Sequence, residues 1–242
     1  MNGPRAVFFD FAGTLFSARS LRDVHLAQLR AVGEAVHADA SDDELRASYR
    51  RGMGIAYRAV ATRPYYLHRE LFGEAFAAMA RDLGGELNAA GVEHAVDRQY
   101  QATIDAAELR ADCITTLRAL RAQGLRVQIV SNIDDEQIEG LVERLGLEGE
   151  IDAWTSSEGA RSCKPDARIY QVAMDAAGCT PADVLFVGDS PDHDVAGPRA
   201  QGMATALLVA DARPGAPDGS PDFVVECLGQ VVEIVERASA AA

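Results

Sequence analysis

Ala6-Val7-Phe8-Phe9-Asp10-Phe11-Ala12-Gly13-Thr14-Leu15 decides how this chain is read. The apolar run from Ala6 to Phe9 predicts a buried strand, and Asp10 closes it. A carboxylate at the carboxyl end of a buried strand, followed at once by a Gly-Thr turn, stands where open α/β sheets place their ligands. Gly13 lets the backbone come close to a bound group, and the Thr14 hydroxyl can hydrogen-bond it.

Working outward, the segment that follows is helical in pattern. Leu21, His25, Leu29, Val32 and Val36 recur on one helical face, and Phe72, Phe76, Met79 and Leu83 repeat it. Gly84-Gly85 and Gly91 punctuate the region, and no strand-like alternation appears in it. Residues 18–105 are therefore expected to form an inserted domain over the sheet's carboxyl edge, with the sheet itself supplied by residues 1–17 and 106–242.

Helix and strand alternate from about residue 111. A helix through Ile114, Leu117 and Leu120 ends near Gly124, and the strand Arg126–Val130 delivers Ser131. A helix bearing Ile138, Leu141 and Leu145 stops at Gly146, and a short strand is predicted around Ile151–Ala153, ahead of a polar loop and Lys164. The helix over 166–177 ends at Gly178, and the strand Asp183–Val187 brings up Asp189. A strand near Ala204–Val209, a Pro/Gly-rich loop at 213–221 and a terminal helix complete the pattern. Strands separated by helices imply an α/β fold: a parallel sheet with helices on both faces. Asp10, Ser131 and Asp189 each come at the end of a strand, so they are expected to converge on one edge.

The formal charge of −14, from 23 basic and 37 acidic residues, argues against nucleic-acid binding, which needs a concentrated positive surface. It leaves room for an anionic substrate, because a local cation and a metal can dominate a pocket. No apolar run approaches the roughly 20 residues of a membrane span, and the first strand begins too early for a signal peptide. A cytoplasmic protein, monomer or homodimer, is expected, with no membrane partner. Cys113, Cys163, Cys179 and Cys227 have no metal-site spacing, and each is expected to be a small buried residue. Lys164 is the only lysine; every other cation is Arg.

Phosphoryl transfer needs an in-line nucleophile and neutralisation of the non-bridging oxygens. A carboxylate can be that nucleophile if a cation screens its repulsion from the phosphate. Asp10 and Asp189 at adjacent strand ends would repel each other unless a divalent ion lay between them, and hard oxygen ligands suit Mg2+. Lys164 would supply a fixed charge, and Ser131 and Thr14 hydroxyl donors.

Asp10-Phe11-Ala12-Gly13-Thr14-Leu15, Val130-Ser131-Asn132, Cys163-Lys164-Pro165-Asp166 and Val187-Gly188-Asp189-Ser190-Pro191-Asp192-His193-Asp194 together resemble the haloacid dehalogenase-like (HAD) hydrolase superfamily, from residue 5 to about residue 235. The resemblance implies a Rossmann-like core with an inserted α-helical cap. It implies Asp10 as a nucleophile that forms an aspartyl-phosphate, with Thr14 beside it. Ser131, Asn132 and Lys164 would hold the transferring group of a small phosphorylated substrate. Asp10, the backbone carbonyl of Ala12 and Asp189 would bind Mg2+, supported by Asp194. Asp192 reads as a turn residue.

Ala12 departs from the family's phosphatases, which carry there a second Asp that protonates the leaving oxygen and then activates water. Losing a general acid or base costs roughly 10²–10⁴-fold. Four readings stay open. A phosphatase can use another residue, His193 being the nearest by sequence, or a reactive substrate. Phosphonoacetaldehyde hydrolases also carry Ala here but need a cap lysine, and residues 20–105 contain none. Haloacid dehalogenases lack the second Asp, but also the acid pair that Asp189 and Asp194 provide. Finally, the chain can be a catalytically impaired module that binds a phosphorylated ligand or partner. The runs Arg50-Arg51-Gly52-Met53 and Arg63-Pro64-Tyr65-Tyr66-Leu67-His68-Arg69 offer candidate specificity residues, since Arg can clamp a carboxylate or phosphate and Tyr can stack on a ring.

Overall fold

Neither face of the central strands is polar, and the fold follows from that. In the computed structural model, which describes residues 3–210 and 220–240, β1 (Ala6–Phe9) is buried at every position. Five more strands join it: β2 (Arg126–Ser131), β3 (Ala153–Ser156), β4 (Val184–Gly188), β5 (Ala204–Leu208) and β6 (Phe223–Val225). All pairs are parallel, in the order β3-β2-β1-β4-β5-β6. The hydrophobic residues on both sides must be covered by crossover helices, as parallel sheets require. On one face Ala6, Phe8, Val184 and Phe186 pack with Ile169, Tyr170, Ala173 and Met174. Their neighbours Val7, Phe9, Leu185 and Val187 point to the opposite face and are equally buried.

Contacts divide the chain into two compact units, one of Met1–Ala18 with Glu108–Ala242 and one of Arg19–Ala107. The second unit is all-helical: α1 (Arg22–Ala35), α2 (Asp42–Val60), α3 (His68–Asp82) and α4 (Ala89–Ala106). Its own core joins Leu29 and Val32 to Tyr49, Phe76, Met79 and Tyr100. Ser41 opens α2 with a reciprocal cap, its hydroxyl accepting from the Glu44 amide while the Glu44 carboxylate accepts from the Ser41 amide. Such a cap contributes about 1 kcal/mol.

The core unit's helices are α5 (Cys113–Ala122), α6 (Asp135–Arg144), a short α7 (Ser157–Ala160), α8 (Ala167–Ala177), α9 (Gly197–Ala200) and α10 (Gly229–Ala240). A π-helical turn, Pro191–Ala196, runs directly into α9.

Several expectations need correction. The third strand starts at Ala153 and runs to Ser156, because Asp152 ties off its start: its amide donates to the Val127 carbonyl and its carboxylate accepts from the Val127 amide. Gly91 lies inside α4, where its amide donates to the Asn88 cap. The edge strand β6 was not foreseen; it has three residues and leaves Phe223 and Val224 exposed, too little pattern to read. Of the cysteines, Cys113 and Cys163 are buried, Cys179 is half-buried and Cys227 is exposed. Most of the 213–221 loop lies outside the described residues. Among the described residues, no helix is long and apolar enough to cross a membrane.

Candidate active site

Three adjacent parallel strands end together, and their ends carry the polar groups. Phe9 pairs with Ile129 of β2 and Val187 of β4. Asp10 therefore leaves the sheet beside Ser131, the last residue of β2, and near Asp189, the first after β4. The Asp10 amide still donates to the Val187 carbonyl at 2.9 Å, so its backbone stays anchored to the sheet. Ser131 Oγ donates to Asp10 Oδ1 at 3.0 Å, and Thr14 Oγ1 donates to Oδ2 at 3.2 Å.

Lys164 comes from the loop before α8 and is buried to 2% side-chain exposure. Its Nζ donates to Asp10 Oδ1 at 2.7 Å, to Asp194 Oδ1 at 2.7 Å and to the Val130 carbonyl at 3.0 Å. An ammonium has three donors, and all three are used. Burial works against the charged form, but the charges of Asp10 and Asp194 outweigh it and Lys164 is shifted above its ordinary pKa. Asn132 sets the lysine's backbone, accepting from the Lys164 amide at 2.6 Å and donating to its carbonyl at 3.0 Å. The Asn132 side chain, expected at the substrate, is thus turned toward Lys164.

Two glycines make room for the acids. Gly13 has φ of +93°, in the left-handed region, and a Cβ there would run into the Asp189 carboxylate. At Gly188 a Cβ would occupy the place of the Asp194 side chain. Asp194 sits on the π-helical turn, where its Oδ2 accepts from the Ser190 amide at 3.0 Å.

Carboxylate oxygens of Asp10, Asp189 and Asp194 lie within 4.8 Å of one another. Three carboxylates face the Lys164 ammonium, with the Arg110 charge also acting on Asp189, and the donors are all oxygen. The site therefore fits a hard divalent ion such as Mg2+. Burial and then the charge of Asp10 push the Asp189 carboxyl up to about 6. Asp189 nevertheless keeps solvent access by surface area, so its interactions are partly screened. Burial likewise raises Asp194, against the pull of Lys164. Ala12, at the position next to Gly13, is exposed and brings only a methyl group.

Two further residues hold this geometry and were not anticipated. Arg110 donates from Nε to the Thr14 carbonyl at 2.9 Å and from Nη2 to the Gly13 carbonyl at 2.6 Å. Tyr170 donates its hydroxyl to the His193 carbonyl at 2.5 Å, bracing the π-helical turn. Arg110 falls in no motif. Tyr170 lies on the buried face of α8, where an aromatic reads as packing. The His193 ring is half-buried, and burial followed by the Lys164 charge lowers its pKa. Asp192 is exposed at the start of the same turn.

Residues 4–202 match the haloacid dehalogenase-like hydrolase family, and the chain belongs to it. Human haloacid dehalogenase-like hydrolase domain-containing protein 3 is 43% identical over 94 residues, 39% of this chain; the match spans 37% of that relative's length. Two relatives align almost end to end at 26% identity over 240 residues. One is the glyceraldehyde 3-phosphate phosphatase of Methanopyrus kandleri, covering 96% of this chain and 97% of the relative. The other is the (S)-2-haloacid dehalogenase of Pseudomonas sp., covering 97% and 96%. Among solved structures, the magnesium-bound HAD-hydrolase YfnB of Bacillus subtilis superposes with a TM-score of 0.78 at 18% identity, over 97% of this chain and 99% of that one. The Rossmann-like α/β fold and membership of this hydrolase family are thereby established.

Proposed function

We propose that this hydrolase removes the phosphoryl group from a small phosphorylated metabolite through an aspartyl-phosphate on Asp10, with Mg2+ as cofactor. The observation that carries this reading is the acid set: Asp10 together with Asp189 and Asp194, their oxygens within 4.8 Å, with Lys164 paired to Asp10 and Asp194. A halide leaves as an anion and needs no such metal acids, so the set favours phosphoryl over carbon–halogen cleavage. Both kinds of enzyme are among the relatives, and the acids supply the support for the phosphoryl reading.

Asp10 attacks phosphorus with one carboxylate oxygen while Lys164 and Ser131 hold the other. The lysine charge, held in a buried site, offsets the repulsion between carboxylate and phosphate. Bound Mg2+ would supply the remaining positive charge, held by Asp10, Asp189 and the Ala12 carbonyl, with Asp194 fixing its surroundings. The helical unit Arg19–Ala107 would act as the cap that selects the substrate, through residues such as Arg50, Arg63 and Tyr65 that the described motifs of the core leave out.

The substitution at Ala12 favours a second reading, an impaired enzyme that binds a phosphorylated ligand without turnover. Phosphate release from p-nitrophenyl phosphate with Mg2+, against the Asp10→Asn variant and a chelator blank, separates the two. Release that needs both Asp10 and Mg2+ supports the hydrolase. Release unchanged in Asp10→Asn, or absent from the wild type, sinks it.

A further inference from the structure

The proton supply around Asp10 can be followed atom by atom. Lys164 has given its three N–H groups to Asp10, Asp194 and the Val130 carbonyl. The hydroxyls of Ser131 and Thr14 both point their protons at Asp10. The Arg110 guanidinium is committed to two carbonyls and never releases a proton near neutral pH. Asp194 accepts from Lys164 on one oxygen and from the Ser190 amide on the other. Asp189 belongs to the acid set that would hold the metal. Ala12, on the turn that follows Asp10, has no proton to give, and burial followed by the Lys164 charge biases the His193 ring toward its neutral form.

From this inventory we infer that the site takes phosphoryl donors whose leaving group departs as a stable anion, the mixed anhydrides of phosphate with a carboxylic acid being the fitting class, in preference to alkyl phosphate esters. The inference rests on the phosphoryl-hydrolase reading above. A carboxylate has a conjugate acid near pKa 4 and needs no protonation. An alkoxide approaches the 15.7 of water, so an alkyl ester depends on a donor.

In the first step the Asp10 oxygen forms a bond to phosphorus as the bond from phosphorus to the acyl oxygen breaks. The electron pair leaves with the carboxylate, and no proton moves. In the second step water attacks the aspartyl-phosphate, the bond from phosphorus to the Asp10 oxygen breaks, and the pair returns to Asp10. The water proton stays with the product as dihydrogen phosphate. Asp10 is itself a carboxylate leaving group, so this step also proceeds without an acid. It lacks a base, however, and is the slower step for activated donors.

The test is a leaving-group series with Mg2+: substituted phenyl phosphates spanning nitro to methoxy, acetyl phosphate, and glycerol phosphate as the alkyl ester, each against Asp10→Asn. The expected result is a steep fall of kcat/KM with leaving-group pKa, at least about 10³-fold between acetyl and glycerol phosphate, within the range assigned to a general acid. A burst of nitrophenol release should precede the steady state. Ala12→Asp should flatten the slope, and His193→Gln should leave the slope as it is. Glycerol phosphate turned over within tenfold of acetyl phosphate, with Asp10 still required, overturns this inference alone. A slope that steepens in His193→Gln does so too, by revealing His193 as the acid. No Asp10-dependent release from any donor takes down the hydrolase reading and this inference together.

Discussion

Replacing Lys164 by Met removes the one ammonium between Asp10 and Asp194 and nearly preserves side-chain length. Both of its ion-pair contacts are 2.7 Å, and the lysine and Asp194 side chains are 2% and 1% exposed. Asp194 cannot turn to water for compensation, and Asp10, with 10% of its side chain exposed, can do so only slightly. Removing one partner of a buried pair costs about 3–5 kcal/mol, because a buried charge is left alone. At roughly 2–4 °C per kcal/mol for a chain of this size, the melting transition of the core unit should fall by about 10 °C at pH 7.5. The loss should depend on pH in a stated direction. Without the lysine, which pulls against burial, the Asp194 carboxyl rises further, and a carboxyl raised in the folded state costs stability only above its unfolded pKa. The deficit of Lys164→Met should therefore shrink as pH falls from 7.5 toward 5. Mg2+ should also narrow it, since it binds the folded state preferentially. Differential scanning calorimetry at pH 5, 6 and 7.5, with and without Mg2+, reads both effects. A variant that melts within about 2 °C of the parent at pH 7.5, equivalent to about 1 kcal/mol or less, would refute the view that these carboxylates are charged and depend on Lys164.

Other perturbations test the remaining supports. Mg2+ affinity should weaken as pH drops through about 6, because the Asp189 carboxyl then holds a proton that the ion must displace; titration calorimetry in two buffers should show proton uptake by the buffer on binding near that pH, and pH-independent binding counts against it. Arg110→Met should cost about 1.5–3 kcal/mol through the loss of charge-assisted bonds to Gly13 and Thr14, measured by urea unfolding; a cost below about 0.5 kcal/mol would mean that the turn stands unaided. Tyr170→Phe leaves the His193 carbonyl without its donor and should cost about 1 kcal/mol, with faster amide exchange confined to the Pro191–Ala196 turn; unchanged exchange there contradicts the bracing role. Gly13→Ala should abolish Mg2+ binding, because a Cβ collides with Asp189 at a left-handed φ; wild-type affinity in that variant would disprove the close approach.

Strand periods and motif spacing made much of this legible. β1 appears in the sequence with the same limits, Ala6–Phe9, as in the structure, because four apolar residues end abruptly in a carboxylate. The helix before Gly178 and the strand before Asp189 were equally plain, having a left-handed glycine stop and an apolar run. β3 was displaced because a distant contact, Asp152 with Val127, decides where it starts. Local pattern carries no trace of such a pairing. At the site, the identities of Asp10, Lys164 and Asp189 could be read, but their supports could not. Asn132 spends its amide on the Lys164 backbone, and Arg110 spends its guanidinium on two carbonyls 96 and 97 positions away. Those roles exist only after the chain has folded back on itself.

The segment that leaves the sheet after Asp10 and the one that returns to it are stapled together. Phe16 forms an antiparallel bridge with Leu109, and the Arg110 amide donates to the Leu15 carbonyl at 2.9 Å. The helical unit Arg19–Ala107 is inserted in sequence between these two segments. For a flexible connection, doubling the chain between such points adds only about 0.6 kcal/mol of closure entropy, so the length of an insertion bears weakly on the sheet. Such an attachment point tolerates lengthening or shortening of the inserted chain without disturbing the register of β1 and its neighbours.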